Sequence, residues 1–454
     1  MVVPPVERIP SPFSRIAEDH PEKLDDYLAL ASPTDEKGRY LSYEDIRYRL
    51  PKSLDIDLAW SVIKLARQRQ LTPLINLGES ARDCEFFLTP TIQKVISQTD
   101  RSTTNAALKW MLSQIGEPVH LEYLLNDLIQ DEAISSGQLE GAATTTKVAK
   151  ELLKKHRKPR TLDEKMILGN FKMMNFAWEN KDRELSLELL LELHQVGTVG
   201  IDDKKYHPGK LRDTDDVVVV DVRDNILHTP PPVARLEKRL KSLRDWTNHD
   251  HHDTDSNQYI HPLVKAITLH FVIGYEHPFR DGNGRVARAL FYWYLFKNDF
   301  AAFRYIAISV LLKAAPAQYG KSYLYTETDE MDLTYFIEYQ CTIVARAITT
   351  FRDTYKKSLK NIAAFNQWLW DSGLYKKLSE KQKIVFQVAK NGHIPYFTAN
   401  SVQENLGCSY NTASKVLNGL VNLQLFSKKK VGREWIFSML DTSAIRDNWQ
   451  NTNT

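Results

Sequence analysis

From about Ser102 apolar residues recur at three- and four-residue spacing, through LKWMLSQI and then VHLEYLLNDLIQDEAI (Val119 to Ile134). This period predicts helices and a mainly α protein. The stretch before it, Met1 to about Gly78, is mixed and punctuated by proline, with no motif that carries chemistry. One segment breaks the helical pattern. DDVVVVDVRDNILHTPPP (Asp215 to Pro232) has four consecutive valines, Val217, Val218, Val219 and Val220, then a polar turn, a short apolar return and three prolines. That order predicts a β-hairpin over about Val217 to His228 with a stiff exit. Helical spacing resumes in LEKRLKSLRDW, and a polar loop, Asn248 to Asn257, follows with the run HDHHDTD, read as a solvated linker in preference to a metal site. HPLVKAITLHFVIGY and VARALFYWYLFKN are apolar enough to be buried helices. Between them lies a tight loop.

Length and composition bound the rest. At 454 residues two or three domains are expected, and 43% hydrophobic with 26% charged residues is the balance of a globular protein. A net charge of +3 does not by itself call for nucleic acid or an anionic membrane. Cys84, Cys341 and Cys408 are far apart, which suits buried thiols in a reducing compartment. The opening MVVPPVERIPSPF lacks the apolar run of a signal peptide and no stretch reaches membrane-spanning length, so a cytoplasmic location is expected.

The loop, HPFRDGNGRVAR (His277 to Arg288), concentrates one imidazole, one carboxylate, two glycines and three arginines over a helix N-terminus. Unpaired N–H groups there attract phosphate. Gly282 and Gly284 let the backbone approach an anion, and Arg285 and Arg288 can reach a polyphosphate. Asp281 offers a hard oxygen for the Mg²⁺ that accompanies a nucleotide, and His277 can take a proton near neutral pH. Together these groups point to phosphate transfer to a hydroxyl.

The string resembles, position by position, the H-P-F-x-D-G-N-G-R-x-x-R signature of the Fic family. The resemblance implies AMP transfer from ATP to a Ser, Thr or Tyr hydroxyl of a protein, self-modification included. It makes His277 the general base, Phe279 the inward anchor, Asp281 the Mg²⁺ ligand, and Gly282, Asn283 and Gly284 the α-phosphate cradle. Arg285 then contacts the distal phosphates and Arg288 clamps the γ-phosphate. Glu276 departs from the apolar residue common before the histidine, which bears on local packing or on the base's pKa.

SGQLEG (Ser136 to Gly141) resembles the family's [ST]-x-x-x-E-[GN] inhibitory motif, on a helix of about 119–141. It implies that Glu140 pairs with Arg288 and excludes productive ATP. By the same resemblance the valine hairpin is a flap that pairs with the target's backbone, its other reading being a cover for the core. Tyr319, in AQYGKSYLY, either lines the adenine pocket or packs in the aromatic core.

The C-terminal part reads as a winged helix-turn-helix: SEKQKIVFQVAKNG, TANSVQENLG and SYNTASKVLNGLVNLQLF as helices, with KKKVGREWIFSM as the wing. Tyr375 to Gln450 holds eleven Lys or Arg against five Asp or Glu, concentrated at Lys428, Lys429, Lys430 and Arg433. DNA and protein partners both remain open. The expected division is an N-terminal region 1–115, a catalytic domain 116–365 and the winged helix 366–454. Expected partners are a target protein, ATP with Mg²⁺, DNA through the wing, and a second copy of the chain, with no membrane. Two alternatives to AMP addition stand: AMP removal at the same site, or a DNA-binding regulator whose core senses a nucleotide.

Overall fold

The computed structural model describes residues 2–78, 82–115, 118–154, 157–201, 207–220, 224–251, 259–390, 396–432, 434–441 and 443–445. The N-terminal stretch folds into α1 (Pro12–Asp19), α2 (Leu24–Leu28), α3 (Tyr43–Arg49) and α4 (Ile56–Gln68), then strands β1 (Thr72–Leu77) and β2 (Arg82–Phe86), paired antiparallel. Caps set the helix starts. Ser42 and Asp45 form a capping box on α3, and Asp55 accepts from the first N–H groups of α4.

Six helices follow: α5 (Pro90–Thr103), α6 (Asn105–Ile115), α7 (Pro118–Leu139), α8 (Thr146–Lys154), α9 (Leu162–Glu179) and α10 (Leu187–Thr198). A hairpin of β3 (Val219–Val220) and β4 (Ile226–His228) then leads to α11 (Leu236–Asn248). It is shorter than expected, with Val217 and Val218 outside the ladder and residues 221–223 outside the described residues. The reason lies just upstream, where Arg212 binds Asp215 and Arg280 binds Asp216, so the chain entering the hairpin is tied to the loop instead of to β4.

At the centre run α12 (Pro262–Glu276) and α13 (Asn283–Lys297). Every residue from Pro262 to Ile273 is buried, as is nearly all of α13, so both helices must be covered on all sides. Helices α9, α10 and α11 supply much of that cover. Helices α9 and α10 cross with backbones in contact: a Cβ at Gly169 would overlap the Gly197 carbonyl, and one at Gly197 would overlap Met173. His251, expected in a solvated linker, is buried and takes a hydrogen bond at Nδ1 from the buried Lys265; His252 lies outside the described residues. The Lys265 Nζ also donates to the His249 carbonyl at 2.8 Å, so this buried amine draws the start of the polar run inward to satisfy it.

After α14 (Ile308–Ala314), α15 (Pro316–Thr328) and α16 (Thr334–Asp371), the chain forms α17 (Glu380–Lys390), α18 (Ala399–Leu406), α19 (Tyr410–Asn422) and a hairpin of β5 (Phe426–Val431) and β6 (Glu434–Met439). Gly407 ends α18 with φ +55, a left-handed cap, and Ser409 caps α19. The fold is thus mainly helical. Among the described residues no helix is long and apolar enough to cross a membrane.

The compact units are drawn differently from the expected division. One comprises Met1–Thr104 with Gln130–Ile348, the other Asn105–Ile129 with Thr349–Thr454. The N-terminal stretch joins the first because buried Lys64 pairs with Asp329, Arg67 donates to the Tyr335 hydroxyl, and Glu85 bridges Asp332. In the second, Tyr355 on α16 donates to the Met111 carbonyl on α6, and Val385, Phe386, Val402, Leu417 and Phe437 lie in one core.

Two glycine substitutions should have opposite signs. Gly169→Ala, at the α9–α10 crossing, should destabilise by about 1–3 kcal/mol. Gly320→Ala, on α15 with open space around it, should stabilise by about 0.5–1 kcal/mol. Urea denaturation of each against the parent measures both.

Candidate active site

The loop begins where α12 stops. His277 caps α12 with φ +46, its N–H still bonded to the Ile273 carbonyl, and Pro278 prevents the helix from continuing. Its Nδ1 lies 3.2 Å from the Gly274 oxygen. A carbonyl only accepts, so Nδ1 carries the proton and Nε2 keeps its lone pair, the tautomer a base requires.

Four loop carbonyls each meet a donor. Arg212 donates from Nε to the His277 oxygen at 3.0 Å and from its backbone N–H to the Pro278 oxygen at 2.8 Å. Asn283 closes the turn on itself, Nδ2 donating to the Phe279 oxygen at 2.7 Å while Oδ1 accepts the Phe279 N–H at 2.9 Å. His194, on α10, lies with Nε2 3.0 Å from the Asp281 oxygen. Its Nδ1 accepts the Gly209 N–H, so Nε2 is the donor, and its ring stacks on buried Phe279 at 3.9 Å between centroids. With carbonyls turned to the protein, the N–H groups at the start of α13 are left to face an anion. Gly282, φ +84, makes that turn accessible.

The two arginines part company. Arg285, buried, donates from Nη1 to the Gly197 oxygen at 3.1 Å, at the helix crossing described above. Arg288, also buried, turns to the end of α7: Nε donates to Ser136 Oγ at 2.9 Å, and Nη2 to the Ser136 oxygen at 3.1 Å and to Glu140 Oε1 at 2.9 Å. Arg288 Nη1 is buried with no hydrogen-bond acceptor among the described residues, and it lies beside Gly284. The Glu140 carboxylate occupies the same spot: a Cβ on Gly284 would overlap Oε1. A polyphosphate on the N-terminus of α13 and this carboxylate would therefore meet at one place.

Asp281 is half-buried, with Oδ1 accepting the Gly282 N–H at 2.5 Å. Among the described residues no cluster of three or more His, Cys, Asp or Glu is placed to hold a metal. A magnesium ion brought in with a nucleotide needs one or two carboxylates, with phosphate oxygens and water completing its shell, so a lone Asp281 fits that kind of site. Tyr319 directs its hydroxyl to His270 Nε2 at 2.7 Å and packs near Tyr323 and Phe336. Glu276 points away from the loop, paired with Arg239 on α11 at 2.7 Å and accepting the Gly78 N–H. Val218, Val220 and Ile226 expose one apolar face of the hairpin while Val217 and Val219 are half-buried, the alternation of a strand with a free side. Sequence reading missed Arg212, His194 and Arg239, because a lone basic residue 37 to 87 positions from its partner carries no spacing signal.

Burial lowers both His194 and His277, each to about 4. For His277 the Gly274 hydrogen bond and Glu140 oppose that shift, and the charges of His228 and Arg212 add to it. In the unfolded chain both titrate near about 6.5. Between that value and about 4 the unfolded chain binds more protons, so stability should fall as pH drops through this window. Denaturant titrations across it, with imidazole NMR following His277 to its low midpoint, check the sign.

The Fic/DOC family model matches residues 184–295, which take in α10, the hairpin, α11, α12, the loop and most of α13. Protein adenylyltransferase Fic of Nematostella vectensis is 30% identical over 140 residues, 30% of this chain and 27% of that protein. The probable protein adenylyltransferase aq_aa38 of Aquifex aeolicus is 26% identical over 192 residues, 41% and 54% of the two chains. The match thus spans from about a quarter to about a half of these relatives. Among solved structures, a Fic family protein from Desulfovibrio desulfuricans G20 aligns over 78% of this chain and 97% of its own, with 18% identity and a TM-score of 0.47. Fic-1 (aa134–508) from C. elegans aligns over 76% and 86%, with 17% identity and a TM-score of 0.46. The loop, its donors and the family match coincide, and residues 184–295 are a domain of the Fic/DOC family.

Proposed function

We propose that this chain is a self-inhibited protein adenylyltransferase that moves AMP from ATP to a Ser, Thr or Tyr hydroxyl, on itself and on a target protein. One observation carries the reading: the Arg288–Glu140 ion pair at 2.9 Å, formed over the glycine that opens the phosphate cradle. In the transfer, His277 Nε2 takes the hydroxyl proton and the oxygen attacks the α-phosphorus. The bond to the bridging oxygen breaks and pyrophosphate leaves. The N–H groups at Asn283 and Gly284, with that of Gly282 once released from Asp281 Oδ1, would hold the α-phosphate; the Asn283 side chain, engaged with Phe279, shapes the turn. Arg285 and Arg288 would take the distal phosphates, and Asp281 would hold Mg²⁺, which supplies positive charge against the phosphates when bound. The exposed edge of the hairpin, Val217 to Val220, would receive the target as an added strand.

Inhibition follows from competition. Arg288 cannot clamp a γ-phosphate while Glu140 and Ser136 hold its guanidinium. A charge-assisted bond of this kind is worth about 1.5–3 kcal/mol, or roughly tenfold to a hundredfold repression. Glu140→Gly should raise incorporation of label from α-³²P-ATP into protein by that factor, and adding His277→Ala should abolish it. Label absent from every variant despite ATP binding would overturn transfer and favour AMP removal, with Glu140 aligning water, or nucleotide sensing.

The second unit supports a nucleic-acid partner. Lys428, Lys429 and Lys430 are exposed on β5, Lys428 sits 5.2 Å from the Trp435 ring and 3.2 Å from Asn418 Oδ1 on α19, and Lys430 stands opposite Trp435. Cations beside an exposed aromatic suit phosphate and base recognition. Arg433 lies outside the described residues. Duplex DNA should bind in fluorescence anisotropy with a salt-dependent affinity, and replacing the three lysines by alanine should reduce the slope by about 0.9 for each phosphate no longer neutralised. No binding at low salt discards this partner.

A further inference from the structure

His228, the last residue of β4, is held on both sides of its ring. Nδ1 lies 2.7 Å from Glu327 Oε2 on α15, and Nε2 lies 2.7 Å from the Tyr275 backbone oxygen on α12. A carbonyl oxygen can only accept, and an ionised carboxylate can only accept. A neutral imidazole has one N–H, so it would satisfy one partner and turn a lone pair on the other. The observed pair of bonds therefore belongs to the imidazolium.

The place matters as much as the charge. Tyr275 stands two residues before His277, next to Gly274, whose carbonyl orients the His277 ring. Across the hairpin, His228 is the ladder partner of Val219. One side chain thus links the strand edge to the helix end that carries the base. The groups facing it are Glu327 on α15, Glu276 and the Tyr275 ring on α12, and His277 beyond them.

Resting on the transfer reading above, we infer that His228 is a positioning residue: as a doubly bonded cation it pins β4 to α12 and α15, sets the flap against His277, and releases it as pH rises. Burial opposes the charge, but the Glu327 hydrogen bond and charge, the Tyr275 carbonyl and Glu276 outweigh it, raising the His228 pKa. The pin is complete below the ordinary value of about 6.5 and is lost as pH rises through the raised folded value. A second effect has the same origin: the pinned cation disfavours a proton on His277 and keeps the base free.

The test uses the full chain carrying Glu140→Gly, alone and with His228→Gln or Glu327→Gln. Nitrogen-15 imidazole spectra should place two protons on His228 at pH below the ordinary value of about 6.5, the signal being assigned by its loss in His228→Gln. Hydrogen exchange of the 219–220 and 226–228 amides, corrected for the intrinsic rate, should quicken several-fold as pH rises through the raised His228 pKa. His228→Gln should be fast throughout, and Glu327→Gln should move the midpoint to lower pH. In self-labelling, His228→Gln should lower the maximal rate with the apparent KM for ATP unchanged. Singly protonated His228 below about pH 6.5, or flap exchange in His228→Gln equal to the parent at every pH, would overturn the pin. Absence of label in Glu140→Gly at any pH defeats the transfer reading alone, because the spectra and the exchange rates still decide the role of His228.

Discussion

A buried carbonyl without a donor costs on the order of 1–3 kcal/mol, and a tight loop between two buried helices presents several at once. Here the oxygens of His277, Pro278, Phe279 and Asp281 are met by Arg212, Asn283 and His194. Those donors come from different parts of the domain. Helix α10 supplies one, the strand entry before the flap another, and α13 the third. The close crossing of α9 and α10 then brings the Gly197 oxygen to Arg285. Satisfying one side of the loop commits its N–H side to an anion, so binding capacity is a result of packing.

Burying two guanidiniums beside that loop carries its own cost, since a charge removed from water must find partners. Ser136 and Glu140 meet that need for Arg288. The Glu140–Arg288 contact thus offsets the cost of burying that guanidinium. A chain lacking Glu140 would leave the buried Arg288 guanidinium without its carboxylate, at a cost in stability.

The helical class, the two central helices and the loop were legible because each is local: apolar period for the helices, and adjacent residue types for the loop. Glu140 and Arg288, 148 positions apart, could be joined only through a family resemblance, and the structure places them 2.9 Å apart. The shortened flap was not legible, because valine favours a strand wherever it stands, while Arg212 and Arg280 claim the residues just before it. His251 was read from the polarity of its neighbours, yet the buried Lys265 draws it inward. Lone long-range partners leave no periodic trace, and Arg212, His194 and Glu327 were invisible for that reason.

Helix α7 ends at Leu139, Glu140 follows immediately, and Gly141 adopts φ +97. Every acceptor that α7 offers Arg288 lies within its final turn or just past it. Helix ends open at far lower free energy than whole domains. The hold on Arg288 is accordingly a fraying equilibrium: unwinding a single turn withdraws Ser136 and Glu140 together, and how long the guanidinium stays engaged is set by how firmly one helix terminus stays wound.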